Sequence, residues 1–399
     1  MIKVVNINAV YEYSSTGRST MEIDHALKKE GHESYVFCTN RNKPEDGIYC
    51  MGTPLSRKIH GFLSRLTGLQ GYFSKNATRK MLRRLDEIKP DVVHLRNLHG
   101  NYIHVNMLLD YLVKEQIPTV ITLHDCWLFT GHCCHYLEDH CDRWQYGCGK
   151  CPAKHKWNES WFFDRSAKVY ADRKARFGKL KSLTVVGVSD WVTNECRKSF
   201  MKENARFLRI YNWIDLNTFS PKPRIRNERP MVLSVSQGWS KIKGLYDIIQ
   251  IAREHPDYDF VMVGKMPENV EIPENMKLIG VISSVDALAE QYRQADVLLH
   301  LSYQETFGKV VVEALACGTP AIVYNVTALP ELIGPGCGEA VKLGDWKAAG
   351  IALEKLITDA DSNVSEDTNQ CRRYALSCFD KEILIKEWIE LYKEISNRR

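Results

Sequence analysis

The run DVLLHLSYQETFGKVVVEALACGTPAIVYN, residues 296–325, decides the fold. DVLLHLS (296–302) and PAIVYN (320–325) are apolar runs of strand length, and a polar loop and a helix over 308–317 lie between them. Short apolar strands joined by an amphipathic helix read as one crossover of a parallel sheet covered on both faces. The alternation extends upstream through PMVLSVS (230–236), a helix near 243–255, DFVMVG (259–264), MKLIG (276–280) and a helix over 285–295. An earlier set of the same kind begins at once with IKVVNINAV (2–10). A polar turn SSTGRS, a helical stretch 19–30, SYVFCT (34–39), DVVHLRN (91–97), a helix near 103–115 and TVITLHD (119–125) follow, and TVVGVSD (184–190) reads as its last strand. Between the sets, LNTFSPKPRIRNERP (216–230) is polar and proline-bearing and reads as a linker. The fold class is α/β, two Rossmann-like doubly wound domains facing a cleft.

The bulk properties agree with two domains. A chain of 399 residues exceeds one hydrophobic core. Its net charge of +5 is too mild to demand nucleic acid, and no nucleic-acid-binding fold accompanies it. No run of eighteen apolar residues predicts a transmembrane helix, and the N-terminus lacks the regions of a signal peptide. A cytoplasmic protein with reduced thiols is the expectation. A last helix near 380–396 carries Leu384, Trp388, Leu391 and Ile395 as one apolar stripe.

Ligands of such sheets bind beyond the carboxyl ends of the strands, so the polar residues after each strand matter most. Tyr11 to Arg18, His124, Gln237 to Lys243, Gly264 to Met266 and Tyr303 to Gly308 are those residues. Glu305 lies in the loop after 296–302, and a helix starts near Phe307 or Gly308. The first amides of a helix have no internal partner and favour an anion, and glycine lets a ligand approach the backbone. Glu313 sits further into that helix, able to accept two hydroxyl hydrogen bonds. Two carboxylates flanking an anion-binding helix start suit a sugar joined to a nucleotide diphosphate. A loop acid and a helix acid without function have the same spacing.

The Glu305-x7-Glu313 pattern with Glu-Ala-Leu-Ala-Cys-Gly-Thr-Pro (313–320) resembles the retaining glycosyltransferases of family 4, whose two-Rossmann fold is called GT-B. Ser189-Asp190, Asn212-Trp213-Ile214-Asp215 with Phe219 and Pro221, and LPELIG (329–334) are similar to further elements of that family, so the resemblance spans nearly the whole chain. It implies an N-terminal acceptor domain over 1–212, a donor domain over 213–379 and a C-terminal helix, 380–399, crossing back to the first domain. The cysteine-rich insertion 126–160, ending in CxxCP, is similar to a bacterial subset associated with capsule, O-antigen and exopolysaccharide assembly. The implied reaction moves a hexose-type sugar from a nucleotide-diphosphate donor to a glycan acceptor, polyprenyl-linked in such pathways.

Carried over residue by residue, the resemblance gives Glu305 to the sugar hydroxyls and Glu313 to the ribose. Lys243 of Lys243-Gly244 goes to the diphosphate, together with Thr306, Phe307, Gly308 and Lys309 at the helix start. The family's arginine five or six residues before that lysine is missing, since Gln237 and Gly238 stand there, and Lys241 is the nearest substitute. Gly17 matches one glycine of the family's N-terminal pair, with Thr16 in place of the other, and Arg18 follows as a further phosphate ligand. His124, ahead of Asp125, matches the histidine near the reacting sugar. The implied mechanism is front-face attack as the diphosphate leaves, with no catalytic metal. No metal-binding DxD stands out: Asp359-Ala360-Asp361 has the spacing but reads as part of a polar linker.

Two features stay outside that scheme. Six of the thirteen cysteines fall at 126, 133, 134, 141, 148 and 151. Cys133, Cys141, Cys148 and Cys151 end in a CxxC half-site and suit a structural zinc, with His135 the first substitute ligand; reduced packing cysteines and disulfides stay open. From Ser56 to Leu85 the chain carries eight lysines and arginines and no acid, interleaved with apolar residues. A solvated basic face and a seat on an anionic membrane both fit. Two other functions compete: a sugar-nucleotide epimerase on a similar frame, and a non-enzymatic zinc-stabilised protein that binds anionic surfaces.

Overall fold

The structure, a computed structural model, describes residues 1–40, 47–223 and 227–398, with side chains for all of these except 360–369. It divides into two compact units, Met1–Ile210 with Ile385–Arg399, and Tyr211–Leu384. In the first unit the strands are β1 (Lys3–Ile7), β2 (Glu33–Cys38), β3 (Ile48–Cys50), β4 (Val92–Leu95), β5 (Thr119–Leu123), β6 (Leu183–Gly187) and β7 (Ala205–Arg209). They form one sheet in the order β3-β2-β1-β4-β5-β6-β7, parallel at every pairing. The order reverses between β1 and β4, which opens a crevice beyond their carboxyl ends. Strands β4, β5 and β6 are buried along their whole length. Ile121→Ala would therefore cost about 2–5 kcal/mol through the cavity it leaves.

The second unit repeats the plan. Its strands are β8 (Met231–Gly238), β9 (Asp259–Lys265), β10 (Met276–Gly280), β11 (Val297–His300), β12 (Ala321–Tyr324) and β13 (Gly338–Val341). The order is β10-β9-β8-β11-β12-β13, again all parallel, and it reverses between β8 and β11. The two-domain, parallel-sheet architecture expected from the sequence is the one observed. Residues Ile385–Arg399 belong to the first unit, where Trp388 stacks on His94 at 4.8 Å between ring centroids. Among the described residues, no helix is long and apolar enough to cross a membrane.

Several local expectations are corrected. SSTGRS is not a turn: it forms the first turns of the helix Ser14–Lys29. The amide of Asn8 donates to the Val10 and Thr16 carbonyls and to Thr20 Oγ1, so a polar sequence is held helical by a side chain from β1's end. TVVGVSD is followed by one more strand, β7, which lies at the sheet edge half-buried and so lacks an apolar run. Edge strands β3 and β13 escaped notice as well, β3 because it has only three residues and β13 because it is only partly buried. Asp359 lies in the helix Trp346–Phe379 rather than in a linker, and the Asp361 side chain is outside the described residues. The start of the expected linker is ordered: Phe219 is buried, and Arg293 donates to the carbonyls of Thr218 and Ser220. Residues 224–226 of that stretch are outside the described residues.

Candidate functional site

In the second unit the loops after β8 and β11 meet at the reversal of the sheet. The Tyr303 amide and the Ser302 hydroxyl donate to the Ile242 carbonyl, at 2.8 and 3.3 Å. Gly244 has φ of +74°, and a Cβ there would lie 2.2 Å from the Leu301 carbonyl oxygen. Only glycine lets the turn Lys241–Lys243 press against the end of β11. That approach brings Lys243 onto Glu305, with Nζ donating to Oε1 at 2.5 Å. His300, the last residue of β11, places Nε2 at 3.4 Å from the same oxygen. Burial alone would raise the Glu305 carboxyl, but the Lys243 charge and the His300 contact outweigh it and hold the carboxyl well below its usual range. Glu305 is therefore ionised at neutral pH.

The helix Lys309–Ala316 starts beside this pair, capped by Gly308 at φ of +104° with no side-chain cap. A Cβ on Gly308 would lie 2.9 Å from Leu329 Cδ2 and 3.2 Å from Leu332 Cδ1, so LPELIG packs directly on the helix start. Phe307 is buried, its ring 5.9 Å from those of Tyr211 and Phe379. Its side chain is spent in the core, leaving only its backbone to a ligand. Thr306 and Lys309 are half-buried at the helix start. Glu313 is buried and accepts a hydrogen bond from the Tyr292 hydroxyl at 3.0 Å. Burial first, then the Glu313 charge, push the Tyr292 hydroxyl well above its ordinary value, so it stays a donor. Lys241 is exposed at the turn, and Gln237 and Gly238 are exposed at the end of β8.

In the first unit the reversal gathers a different set. Gly17 is buried within the helix Ser14–Lys29, where a Cβ would lie 3.2–3.3 Å from Val10 and from the backbone of Tyr11 and Glu12. Arg18, next to it, is exposed. Arg96 follows β4 and is buried; its Nη2 donates to Ser19 Oγ at 2.7 Å and to His124 Nε2 at 3.3 Å. A guanidinium only donates, so Nε2 of His124 carries no proton and the ring is neutral with its proton on Nδ1. Burial, then the Arg96 charge, lower the His124 ring to about 3. Burial lowers Arg96 itself to about 10, which leaves it charged at neutral pH. Arg96 Nε and Nη1 are buried with no hydrogen-bond partner. The next residue, Asp125, accepts from His99 Nε2 at 2.8 Å and from the Trp127 amide at 2.8 Å.

The insertion begins at that ion pair. Arg173, buried, lies over the Trp127 ring at 3.7 Å and donates to the carbonyls of Trp127 and Thr130. Cys133, Cys141, Cys148 and Cys151 are electrostatic neighbours of one another. Burial first, then nearby charges, push the thiols of Cys133, Cys148 and Cys151 up to about 12, 11 and 12. None is an activated nucleophile in this state. The Gly131 amide donates to Cys148 Sγ at 3.2 Å, and a Cβ on Gly131 would lie 2.8 Å from Cys148 Cβ. Tetrahedral zinc with bonds near 2.3 Å needs sulfurs about 3.8 Å apart. Among the described residues only His99, Asp125 and Cys134 bring three potential ligand atoms within 4.8 Å of one another, so the four cysteines stand wider than that. The buried Arg173 cation beside Asp125 and Cys134 argues for an ion pair at that triad rather than a second cation.

The family model described as Glycosyltransferase Family 4 matches residues 16–218, and that described as Glycosyl transferases group 1 matches residues 216–377. The chain belongs to glycosyltransferase family 4. It is 23% identical over 409 residues to an uncharacterized protein of the cps region of Klebsiella pneumoniae, covering 98% of this chain and 99% of that one. It is 26% identical over 239 residues to the N-acetyl-alpha-D-glucosaminyl L-malate synthase of Bacillus anthracis, covering 55% of this chain and, below two thirds, 62% of that protein. Sucrose-phosphate synthase from Thermosynechococcus elongatus has the same fold, with a TM-score of 0.72 at 15% identity over the full length of both chains. Anabaena HepE in complex with UDP superposes with a TM-score of 0.65 at 15% identity, covering 98% of this chain and 100% of its own. WaaG, a glycosyltransferase involved in lipopolysaccharide biosynthesis, gives 0.63 at 16%, with 98% and 99% coverage. These neighbours make the fold GT-B.

Three residues of this family 4 chain had gone unremarked. Arg96 and His300 each end or follow an otherwise apolar strand, DVVHLRN and DVLLHLS, and a charge-bearing group at a strand's carboxyl end was the available signal. Arg173 gave none, because a helical arginine is usually exposed.

Proposed function

We propose that this chain is a retaining hexosyltransferase that moves a sugar from a nucleotide-diphosphate donor to a polyprenyl-linked glycan during cell-surface polysaccharide assembly. The observation that carries the reading is the Lys243–Glu305–His300 cluster beside the glycine-started helix Lys309–Ala316. A diphosphate at that helix start would share Lys243 with Glu305, and the lysine would neutralise charge as the phosphate departs. Glu305, kept ionised, would accept from the sugar hydroxyls, and Glu313, held by Tyr292, from the ribose diol. Gly17 and Arg18 would be further phosphate ligands. His124, with Nδ1–H as its donor, would bind a sugar hydroxyl rather than act as a base. The acceptor hydroxyl would attack the face the diphosphate leaves, passing its proton to the departing phosphate oxygen. The protein would contribute placement and charge, with no catalytic metal. HepE in complex with UDP and the polysaccharide context of WaaG and of the Klebsiella protein support the donor class and the setting.

The same reading places the protein in the cytoplasm, on the inner face of the cell membrane where polyprenyl-linked acceptors reside. A structural zinc held by Cys133, Cys141, Cys148 and Cys151 would tie the insertion together after the thiols draw in. Their soft donor set and the Gly131 amide on Cys148 suit such a site. The function is tested by screening nucleotide sugars by thermal shift, then following transfer to polyprenyl-diphosphate glycans. The anomeric configuration of the product is read by NMR. Retention with the acceptor present is expected. Turnover of donor without acceptor would point to an epimerase, and no turnover of any donor would end the transferase reading.

A further inference from the structure

The helix Pro54–Thr67 is inside out. It buries His60, Gly61 and Ser64 and turns Leu55, Ile59 and Phe62 to solvent, at 67%, 51% and 51% exposure. Spacings of four and three place those three on one stripe. Lys58 and Arg65, both exposed, flank it. The segment just after the insertion, Trp161, Phe162 and Phe163, runs beside this helix with all three side chains exposed. Trp161 meets Phe62 edge-on at 5.8 Å, and its backbone amide donates to the Arg65 carbonyl at 2.8 Å. A surface helix normally does the reverse, and six large exposed apolar side chains on this helix and the segment docked against it call for an apolar partner.

The charge beside the patch says which partner. Between Pro54–Thr67 and the helix Lys75–Ile88 runs a groove of about 1090 Å³, lined by Leu63, Phe73 and Met81 and by Arg79, Lys80 and Arg83. Those three cations are exposed. The acids nearby are already engaged: Glu87 with Arg84, and Glu159 with Arg65 at 3.4 Å and with the Trp161 indole at 3.1 Å. An apolar stripe with aromatic residues beside it and cations along its edge matches the headgroup boundary of an anionic bilayer.

We infer that this face seats the protein on anionic phospholipid by inserting Leu55, Ile59, Phe62 and the 161–163 aromatics, with the cations of the groove on the headgroups. The inference rests on the membrane placement proposed above but names an insertion surface, so binding has an apolar part that salt does not screen. The electrostatic part falls off within about 8–10 Å at physiological ionic strength.

The test uses the full chain and vesicles of phosphatidylcholine with and without phosphatidylglycerol, sedimented at low and physiological salt, with no sugar donor or acceptor. Wild type should bind the phosphatidylglycerol vesicles and retain part of that binding at physiological salt. The triple variant Ile59→Ser, Phe62→Ser, Phe162→Ser should partition on the order of 100-fold less, with unchanged melting temperature and unchanged oligomeric state. Arg79→Glu with Arg83→Glu should lose the preference for phosphatidylglycerol. Equal binding by wild type and the triple variant would overturn the insertion surface. So would a wild-type dimer that the triple variant turns into a monomer, which would make the patch a subunit interface. Because no transfer is measured, either failure leaves the transferase reading to its own assay.

Discussion

Replacing Arg96 by methionine removes the donor that fixes His124 and the cation that helps keep it neutral, while filling similar space. With Nη2 at 3.3 Å from Nε2, the charge centres are about 4 Å apart; at an effective dielectric near 20 their repulsion has an upper bound of about 4 kcal/mol, close to three pKa units. Burial is the larger cause of the His124 depression to about 3, so it persists in the variant. Asp125 favours the charged ring and His99 opposes it, and both stay in place. His124 should therefore rise only part of the way, to roughly 4–5, rather than to its unperturbed value. Side-chain proton–nitrogen NMR checks this directly. Wild type should show the proton on Nδ1 at neutral pH and no titration of this ring above pH 5. Arg96→Met should show a mixture of tautomers, and its ring should begin to titrate near pH 5. Transfer at pH 7 should fall as well, since a ring free to change tautomer presents the sugar hydroxyl with a donor only part of the time. A wild-type Nε2 proton, or an unchanged His124 titration in the variant, would refute the reasoning.

Lys243→Ala should weaken nucleotide diphosphate binding by about 1.5–3 kcal/mol, the range of a charge-assisted hydrogen bond. Glu305→Gln should leave that affinity intact or raise it, because it releases Lys243, while donor turnover falls; calorimetry with the diphosphate beside a transfer assay separates the two. Glu313→Ala should weaken free nucleotide diphosphate as well as the sugar donor, and equal calorimetric affinity would sink the ribose assignment. Purified chain should carry about one zinc, and Cys148→Ser or Cys151→Ser should lose it and melt lower with donor affinity unchanged; elemental analysis without zinc would end the metal site. Acid should destabilise the first unit through His60 and His124, which burial lowers to about 4 and about 3. Both stay neutral when folded and charge when unfolded, so the stability present above about pH 6.5 is lost as pH falls toward the folded values, about 2 kcal/mol for each by pH 5. The His60→Gln variant should show a shallower fall in melting temperature between pH 7 and 5, and parallel slopes would count against this.

What the sequence disclosed depended on whether a signal was local. Buried parallel strands announce themselves, because burial on both faces demands an unbroken apolar run, and β4, β5, β8 and β11 were all read that way. Edge strands β7 and β13 were not, because half-exposed backbone places no such demand on composition. Glycines were legible as breaks in pattern, but their reasons were not. Gly244 is required by the Leu301 carbonyl and Gly308 by Leu329 and Leu332, contacts across 57 and 21 positions of chain. Gly17 was read as a turn glycine and is a helix glycine, because the Asn8 side chain that holds the surrounding polar run helical comes from the preceding strand. Charge partners were the least legible. Glu305 was picked out by its place after a strand, yet its ionisation rests on Lys243 and His300, one from another loop and one from the strand's own last position. The same holds for His124, whose tautomer is set by a residue 28 positions earlier. Spacing along one element can nominate a group for chemistry. Which proton the group carries is decided by the neighbour the sheet places beside it: Arg96 after β4 stands beside His124 after the adjacent strand β5, and Lys243 after β8 reaches Glu305 after β11 across the reversal of the second sheet.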